Sequence, residues 1–154
     1  MTATVHEGVT LRVATEADLA SIERLLTTNS LPTSGVAEAL SGFLVGESNG
    51  TIVGVVGMEY CGSYGLLRST AVAPEWRGRG LGRQLVTRII AEAESRGIRA
   101  LYLLTTTAET YFPSFGFEAT TRDAVPNAIR ETGEFLGACP ASAAVMLLTL
   151  PPER

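Results

Sequence analysis

Glycines and arginines are concentrated in residues 66–85, LLRSTAVAPEWRGRGLGRQL, where a predicted strand gives way to a predicted helix. Glycines let successive backbone N–H groups crowd together without a Cβ in the way. The first turn of a helix leaves its own N–H groups unpaired at the positive end of the helix dipole. This combination predicts a cradle for a phosphate or a pyrophosphate.

The charge of the segment supports an anion site. Between Leu66 and Ala91 the sequence has five arginines and one acid, a local balance of +4 in a chain whose formal charge is −4. The alternative is that Gly78, Gly80 and Gly82 only permit a tight turn and that the arginines form a solvated helix face. We favour anion binding, because a plain connector does not need cations at the start of a helix.

Residue counts limit the chemistry open to this chain. There is no lysine, which excludes Schiff-base catalysis and the lysine of a P-loop. The single histidine, His6, lies in a predicted N-terminal tail, so catalytic triads lack a base and a His-rich metal site cannot be built. Cys61 and Cys139 are too few for a disulfide framework. The reaction must use carboxylates, hydroxyls, arginines, backbone groups or a bound cofactor, and we expect no metal.

Length and composition are typical of one globular domain. The 154 residues are 45% apolar and 18% charged, so we expect a single domain over residues 1–154. The acidic balance disfavours a nucleic-acid partner. The sequence has neither a membrane-length apolar stretch nor a signal peptide at its start, MTATVHEG, so we expect a cytoplasmic protein without a membrane partner.

Hydrophobic periodicity predicts the elements that position the cradle. Strands are predicted over residues 9–13, 43–47, 51–60, 65–72, 100–105 and 144–150, with one more after Phe117. Helices are predicted from residue 19 onward and over residues 32–40, 80–96, 108–114 and 126–132. This order predicts a mixed α/β sandwich around one sheet, with the last strand central because it is apolar on both faces.

Two nucleotide-binding patterns compete for the glycine segment. A Rossmann fingerprint needs G-x-G-x-x-G directly after a strand and an acid about 20 residues later, and both features are missing here. The other pattern is Arg/Gln-x-x-Gly-x-Gly/Ala, which Arg77, Gly80 and Gly82 fill. At this loop the sequence resembles the GNAT superfamily of acetyl-CoA-dependent N-acetyltransferases. The order of the elements and the later YFPSFGF agree with that family.

The resemblance implies an α/β fold whose mixed, mostly antiparallel sheet contains a splayed parallel central pair. It also implies that the pantetheine arm of acetyl-CoA bonds to the backbone of one strand of that pair and that the pyrophosphate lies on the glycine loop. The residues implied to bind the coenzyme are Thr70, Ala71, Val72, Arg77, Gly78, Arg79, Gly80, Leu81, Gly82, Arg83 and Thr107.

The resemblance also implies candidates for proton transfer. Glu59 ends the strand before the coenzyme strand, where many family members place a base; the alternative is a solvated glutamate or a substrate anchor. Family members commonly have a tyrosine where this chain has Phe112. Its neighbour Tyr111 points about 100° away on a helix, so packing is favoured for it. The thiolate then leaves unprotonated or takes a proton from a hydroxyl such as that of Thr107.

A finer resemblance concerns the acceptor. The segments LLTTTAE and CPASA look like the arsenic-resistance branch of the family, near the N-acetylglutamate synthases, which implies an amino-acid-like amine or an arsenical or phosphinic glutamate mimic. Arg68 is expected to contact an acceptor carboxylate, with an internal ion pair to Glu59 as the alternative. Arg130 is expected to be structural. Cys61 and Cys139 show no ligand spacing for arsenic.

Other functions compete with this one. One is glutamate N-acetylation, and another is a non-catalytic acetyl-CoA sensor, to which the missing tyrosine lends weight. A protein-modifying acetyltransferase and a hydride-transfer enzyme fit the sequence less well. Because family members often dimerise through C-terminal strands, we also expect a homodimer that pairs through residues 144–150.

Overall fold

Two compact units make up the fold. The structure is a computed structural model that describes residues 3–6, 8–106, 108, 110–138 and 142–151. The first unit is Met1–Met58 with Ser69–Ile90, and the second is Glu59–Arg68 with Ala91–Arg154. The chain passes between them within two strands and one long helix.

Four strands of the first unit pair in an antiparallel ladder, in the order in which they are named. They are β1 (Ala3–His6), β2 (Val9–Val13), β3 (Phe43–Ser48) and β4 (Thr51–Cys61), whose last three residues belong to the second unit. Asn49 and Gly50 have φ angles of 50° and 79°, which confirms the predicted two-residue hairpin. The predicted N-terminal tail is wrong, because residues 3–6 pair with β2.

The first helix, α1 (Leu19–Thr28), buries the apolar stripe expected from its spacing, with Ile22 and Leu26 fully buried. The helix predicted over residues 32–40 is wrong. Residues 34–39 form turns, and Gly35 has a φ of 79°, outside the range of a right-handed helix.

The long helix α2 (Leu81–Ser95) begins in the first unit directly after the glycine loop. Leu81 and Leu85 are buried over β4 at Gly54. A Cβ on Gly54 would come to 2.9 Å from Leu85 Cδ1, closer than real Cβ contacts. This glycine therefore lets the start of α2, and with it the loop, lie directly against the strand.

The second unit contains the sheet order β5-β6-β8-β7. These strands are β5 (Tyr64–Val72, in this unit up to Arg68), β6 (Ala100–Thr105), β7 (Glu118–Thr120) and β8 (Ala144–Thr149). β5 and β6 are parallel and pair over three residues of each, and the other pairs are antiparallel. The expected α/β class, with a mostly antiparallel sheet and one short parallel pair, is confirmed.

Strand β8 lies between β6 and β7, which confirms the central position predicted from its two apolar faces. Residues 145–147 are paired on both sides, which leaves no edge there for a second copy, and the expected homodimer itself stays a prediction.

The remaining predicted helices are shorter than expected. The segment predicted as a helix over residues 108–114 has only the 3-10 turn Phe112–Phe115, and the one predicted over residues 126–132 is reduced to α3 (Asn127–Arg130). In the described part of the chain no helix combines the length and the apolar character that crossing a membrane requires.

Candidate active site

The glycine loop of the first unit connects β5 to α2 through a short, well-defined path. After β5 ends at Val72, the Ala73 N–H donates to the Val53 carbonyl at 2.8 Å, and Pro74–Trp76 forms a single 3-10 turn. Gly78 and Gly80 then take φ angles of 78° and 83°. The left-handed backbone at these two positions is what requires glycine.

Backbone N–H groups along this loop have no acceptor among the residues that the structure describes. Among the described hydrogen bonds, none is donated by the backbone of residues 78–82. The first donation after them is from the Gln84 N–H to the Gly80 carbonyl at 3.1 Å. A Cβ placed on Gly78 or on Gly80 would have no other atom within 4 Å, so the space beside both residues is open. The open N–H groups therefore coincide with the positive end of a 15-residue helix, as the sequence predicted for an anion cradle.

Two of the loop arginines are held by neighbours that the sequence did not indicate. Arg77 donates from Nη2 to the Asn29 side-chain oxygen at 2.7 Å, and Asn29 in turn donates to the Leu25 carbonyl at the end of α1. The Arg79 guanidinium lies 4.6 Å from the centre of the Trp76 ring. Both contacts fix the course of the loop, and only a three-dimensional structure could bring Asn29 to Arg77.

Ser69, in the part of β5 that belongs to the first unit, has a φ of 60° although it is not glycine. A left-handed residue inside a strand interrupts the alternation of side chains between the two faces of the sheet. It therefore changes the directions in which the side chains and peptide groups of the following residues point. Those residues are the expected pantetheine contacts: Ala71 is buried, while Thr70 and Val72 are half-buried. The sequence did not predict this conformation, because a serine inside a strand pattern gives no signal for a left-handed backbone.

The second unit contains a buried ion-pair cluster built from Glu59, Arg68 and Glu134. Arg68 donates from Nη1 to Glu59 Oε2 at 2.6 Å, and its Nε lies 3.4 Å from Glu134 Oε2. The Arg68 side chain is 0% exposed, against 19% for Glu59 and 5% for Glu134. The internal ion pair that the sequence left as an alternative for Arg68 is therefore present. Glu134 is a member that the sequence did not predict.

Other titratable groups lie beside Glu59 on β4. Burial raises the pKa of the Cys61 thiol, and the negative charge of Glu59 raises it further. Burial also raises the pKa of Tyr60. The Arg96 guanidinium lies over the Tyr60 ring, 4.1 Å from its centre. Cys61 and Tyr60 are therefore both neutral near pH 7, and Cys61 is not a thiolate nucleophile.

The aromatic residues near Gly116 pack on one another. Tyr111 makes edge contacts with Phe112 and Phe115 at centroid distances of 5.2 and 5.3 Å, and Phe112 is buried. Arg130 donates to the Asn127 side chain at 2.8 Å, in keeping with a structural role. Thr107 and Cys139 lie outside the described residues, so their predicted roles stay predictions. In the part of the chain that the structure describes, no three His, Cys, Asp or Glu residues are grouped as metal ligands.

Comparison with known families decides between the nucleotide-binding patterns. A family model described as "Acetyltransferase (GNAT) family" matches residues 15–117. The chain belongs to this family. The match includes the whole glycine loop, so membership of the acetyltransferase family replaces the Rossmann alternative.

Relatives of this GNAT chain include amino-acid acetyltransferases. One from Pseudomonas syringae pv. syringae is 41% identical over 64 residues, which are 42% of this chain and 15% of that protein. An acetyltransferase from Yersinia pestis (strain Pestoides F) is 40% identical over 62 residues, which are 40% of this chain and 44% of that protein. The match thus covers less than half the length of either relative.

Solved structures share the GNAT fold over nearly the whole chain. N-acetylglutamate synthase from Neisseria gonorrhoeae, complexed with coenzyme A and N-acetyl-glutamate, has a TM-score of 0.81 at 22% identity and covers 96% of this chain, which matches 36% of that one. Rv2747 from Mycobacterium tuberculosis, in complex with CoA, has a TM-score of 0.77 at 25% identity over 92% of this chain and 99% of that one. The expected fold family is confirmed.

Proposed function

We propose that this chain is one acetyltransferase domain that transfers the acetyl group of acetyl-CoA to the primary amine of a small, amino-acid-like acceptor. The observation that carries the proposal is the run of open N–H groups at residues 78–82, at the start of α2 in a member of the GNAT family. Such a run suits a diphosphate, whose oxygens accept several hydrogen bonds at once.

The proposed coenzyme site lies along the chain from Thr70 to Arg83. The pantetheine amides would bond to the backbone of Thr70, Ala71 and Val72, and the pyrophosphate would lie on residues 77–82. Arg83, which is exposed on the first turn of α2, would add positive charge. Thr107 remains part of the proposal as a hydroxyl contact.

The proposed transfer is direct. The amine nitrogen attacks the thioester carbonyl, the C–N bond forms and the C–S bond breaks, with its electron pair leaving on sulfur. Glu59 accepts the proton that the amine gives up, since an amine with a pKa near 10 is mostly protonated at pH 7. The Val72 backbone N–H is assigned to the developing oxyanion. Phe112 has no proton to give, so we propose that the thiolate leaves charged or is protonated by Thr107.

The acceptor proposal rests on the relatives. An amino-acid acetyltransferase and an N-acetylglutamate synthase are among them, which supports an α-amino acid as the acceptor. The segments that resemble the arsenic-resistance branch support a glutamate mimic that carries arsenic or phosphorus. Because Arg68 is already paired with two carboxylates, we assign it to holding Glu59 and not to gripping the acceptor directly.

Release of free CoA from acetyl-CoA tests the proposal. Purified protein is assayed with glutamate, an arsenical and a phosphinic glutamate mimic, other amino acids and simple amines. We expect release with an amino-acid-like acceptor; preference for glutamate over its mimics would favour an N-acetylglutamate synthase-like enzyme. Acetyl-CoA binding without CoA release across the whole panel would contradict catalysis and favour the sensor.

A further inference from the structure

Glu134 is a buried carboxylate to which the proposed reaction assigns no role. It begins the turn Glu134–Ala138, 75 positions after Glu59 in the chain, and only 4% of the residue is exposed. Burying a carboxylate is costly unless the charge is paired. The Arg68 Nε, at 3.4 Å from Glu134 Oε2, provides that pairing.

One guanidinium is therefore shared by two carboxylates. Arg68 also donates to Glu59 Oε2 at 2.6 Å, so the three groups carry a net charge of −1 when all are ionised. An Arg–carboxylate pair without a third member would be neutral, and the guanidinium would strongly oppose protonation of its partner. The second carboxylate offsets part of that effect, because like charges oppose one another's ionisation.

This arrangement suits a carboxylate that must accept a proton during turnover. We propose that Glu134 is a positioning residue that acts through Arg68 to fix the orientation of Glu59 and to raise its readiness to take up a proton. The inference rests on the proposed function, because it treats Glu59 as the base. Glu134 itself touches neither acceptor nor coenzyme in this scheme.

Charged and titratable groups around Glu59 come from three places in the second unit. Arg68 faces it from β5, Glu134 acts from the turn at 134–138, and Cys61 lies two residues away on β4. Cys61 is neutral because its pKa is raised by burial and by Glu59. Tyr60, the residue between Glu59 and Cys61, faces Arg96, which also pairs with Glu92. Replacing Glu134 thus removes one negative charge of the cluster and leaves the other charged and titratable groups in place.

The test compares Glu134→Gln with the wild type in the pH profile of kcat. Removing the negative charge of Glu134 leaves Arg68 to act on Glu59 alone. The midpoint of the acid side of the kcat profile, where activity is lost as the pH falls, should therefore move down by about one pH unit. The KM for acetyl-CoA should stay within about twofold, and Glu134→Asp should restore most of the wild-type profile. A merely structural residue would change thermal stability without moving the midpoint, and that result would overturn the inference.

A double variant provides a test of opposite sign. Arg68→Met with Glu134→Met removes the guanidinium and its second partner together, so no buried charge is left unpaired in their place. Glu59 then has no cation beside it, and the acid-side midpoint should move up. A downward or absent shift in the double variant would contradict the role given to Arg68, and this variant carries the test if Glu134→Gln does not fold.

A readout that needs no turnover separates this inference from the proposed function. With 13C-labelled glutamate, the side-chain carboxyl signal of Glu59 is assigned by its loss in Glu59→Gln and followed by NMR as the pH is lowered. If the chain releases no CoA with any amine, the proposed function fails, yet the Glu59 midpoint must still fall in Glu134→Gln. An unmoved midpoint would overturn the inference whether or not the chain is an enzyme.

Discussion

The two units contain different kinds of candidate functional groups. The open N–H groups and arginines suited to an anion lie in the first unit, and the ion-paired carboxylates Glu59 and Glu134 lie in the second. The glycine loop could be predicted from the sequence because its glycines and arginines are a local signal, whereas Glu59 was implied by the resemblance to the GNAT family. The sequence did not predict Glu134, because the pairing of two residues far apart in the chain depends on the fold and not on spacing.

Glu59 is the residue on which the proposed proton transfer depends. Glu59→Gln removes the proton acceptor and should lower kcat by about 100-fold or more, the usual range for a general base. The KM for acetyl-CoA should change by less than about twofold. Glu94→Gln, on the exposed face of α2, is the matched control and should behave as wild type. Equal turnover by Glu59→Gln and wild type across the pH range would remove Glu59 from the mechanism.

Asn29 tests whether the end of α1 holds the coenzyme loop through Arg77. Asn29→Ala removes the 2.7 Å hydrogen bond to Arg77, and with it the Asn29 bond to the Leu25 carbonyl, but leaves every residue of the loop itself unchanged. The KM for acetyl-CoA should therefore rise by about fivefold while kcat is unchanged. Thr27→Ala, whose hydroxyl bonds only within α1, is the control. In a double-mutant cycle, Asn29→Ala and Arg77→Ala should be non-additive. Additive effects would mean that Arg77 acts independently of Asn29.

Among the elements, those with strong periodicity were predicted well and those set by contacts were not. The long helix α2 and the strands β3 to β6 lie within one or two residues of their predicted bounds, because their apolar patterns are long and regular. The helix expected over residues 32–40 is absent because Gly35 takes a left-handed conformation. The bend in β5 at Ser69 likewise had no sequence signal.

Ser69 offers a test of strain inside β5. Both Ser69→Gly and Ser69→Val lose the hydroxyl, but only glycine adopts a φ of 60° at no steric cost. Ser69→Val should therefore be less stable than Ser69→Gly by about 1–2 kcal/mol, the reverse of the usual preference in strands. Urea unfolding measures the difference. A more stable valine variant would show that the left-handed conformation does not form in solution.

For the whole molecule, one partly buried ion pair predicts how stability depends on pH. Arg12 donates to both carboxylate oxygens of Asp18 at 2.8 and 2.9 Å, and these bonds lower the pKa of Asp18 from 3.8 to about 2. Because the folded pKa is lowered, the stabilisation is complete above pH 4 and is lost as the pH falls through 2. It amounts to about 2 kcal/mol.

Asp18→Asn should consequently be less stable than wild type by about 2 kcal/mol at pH 7 and nearly equal to it at pH 2. Glu38→Gln, an exposed glutamate in the same unit, should be neutral at both pH values. Unfolding followed by circular dichroism at each pH provides the comparison. A constant difference between pH 7 and pH 2 would mean that the ion pair does not set the pKa of Asp18.

Calorimetric titration of the protein with coenzyme A tests most directly whether the loop before α2 binds a diphosphate. We predict saturable binding that weakens at least tenfold in Gly80→Ala, because the added Cβ meets a left-handed backbone at the centre of the loop. Gly62→Ala, at an equally left-handed glycine in the turn between β4 and β5, should bind as wild type. An absence of binding by the wild type, or equal binding by Gly80→Ala, would contradict the assignment of this loop.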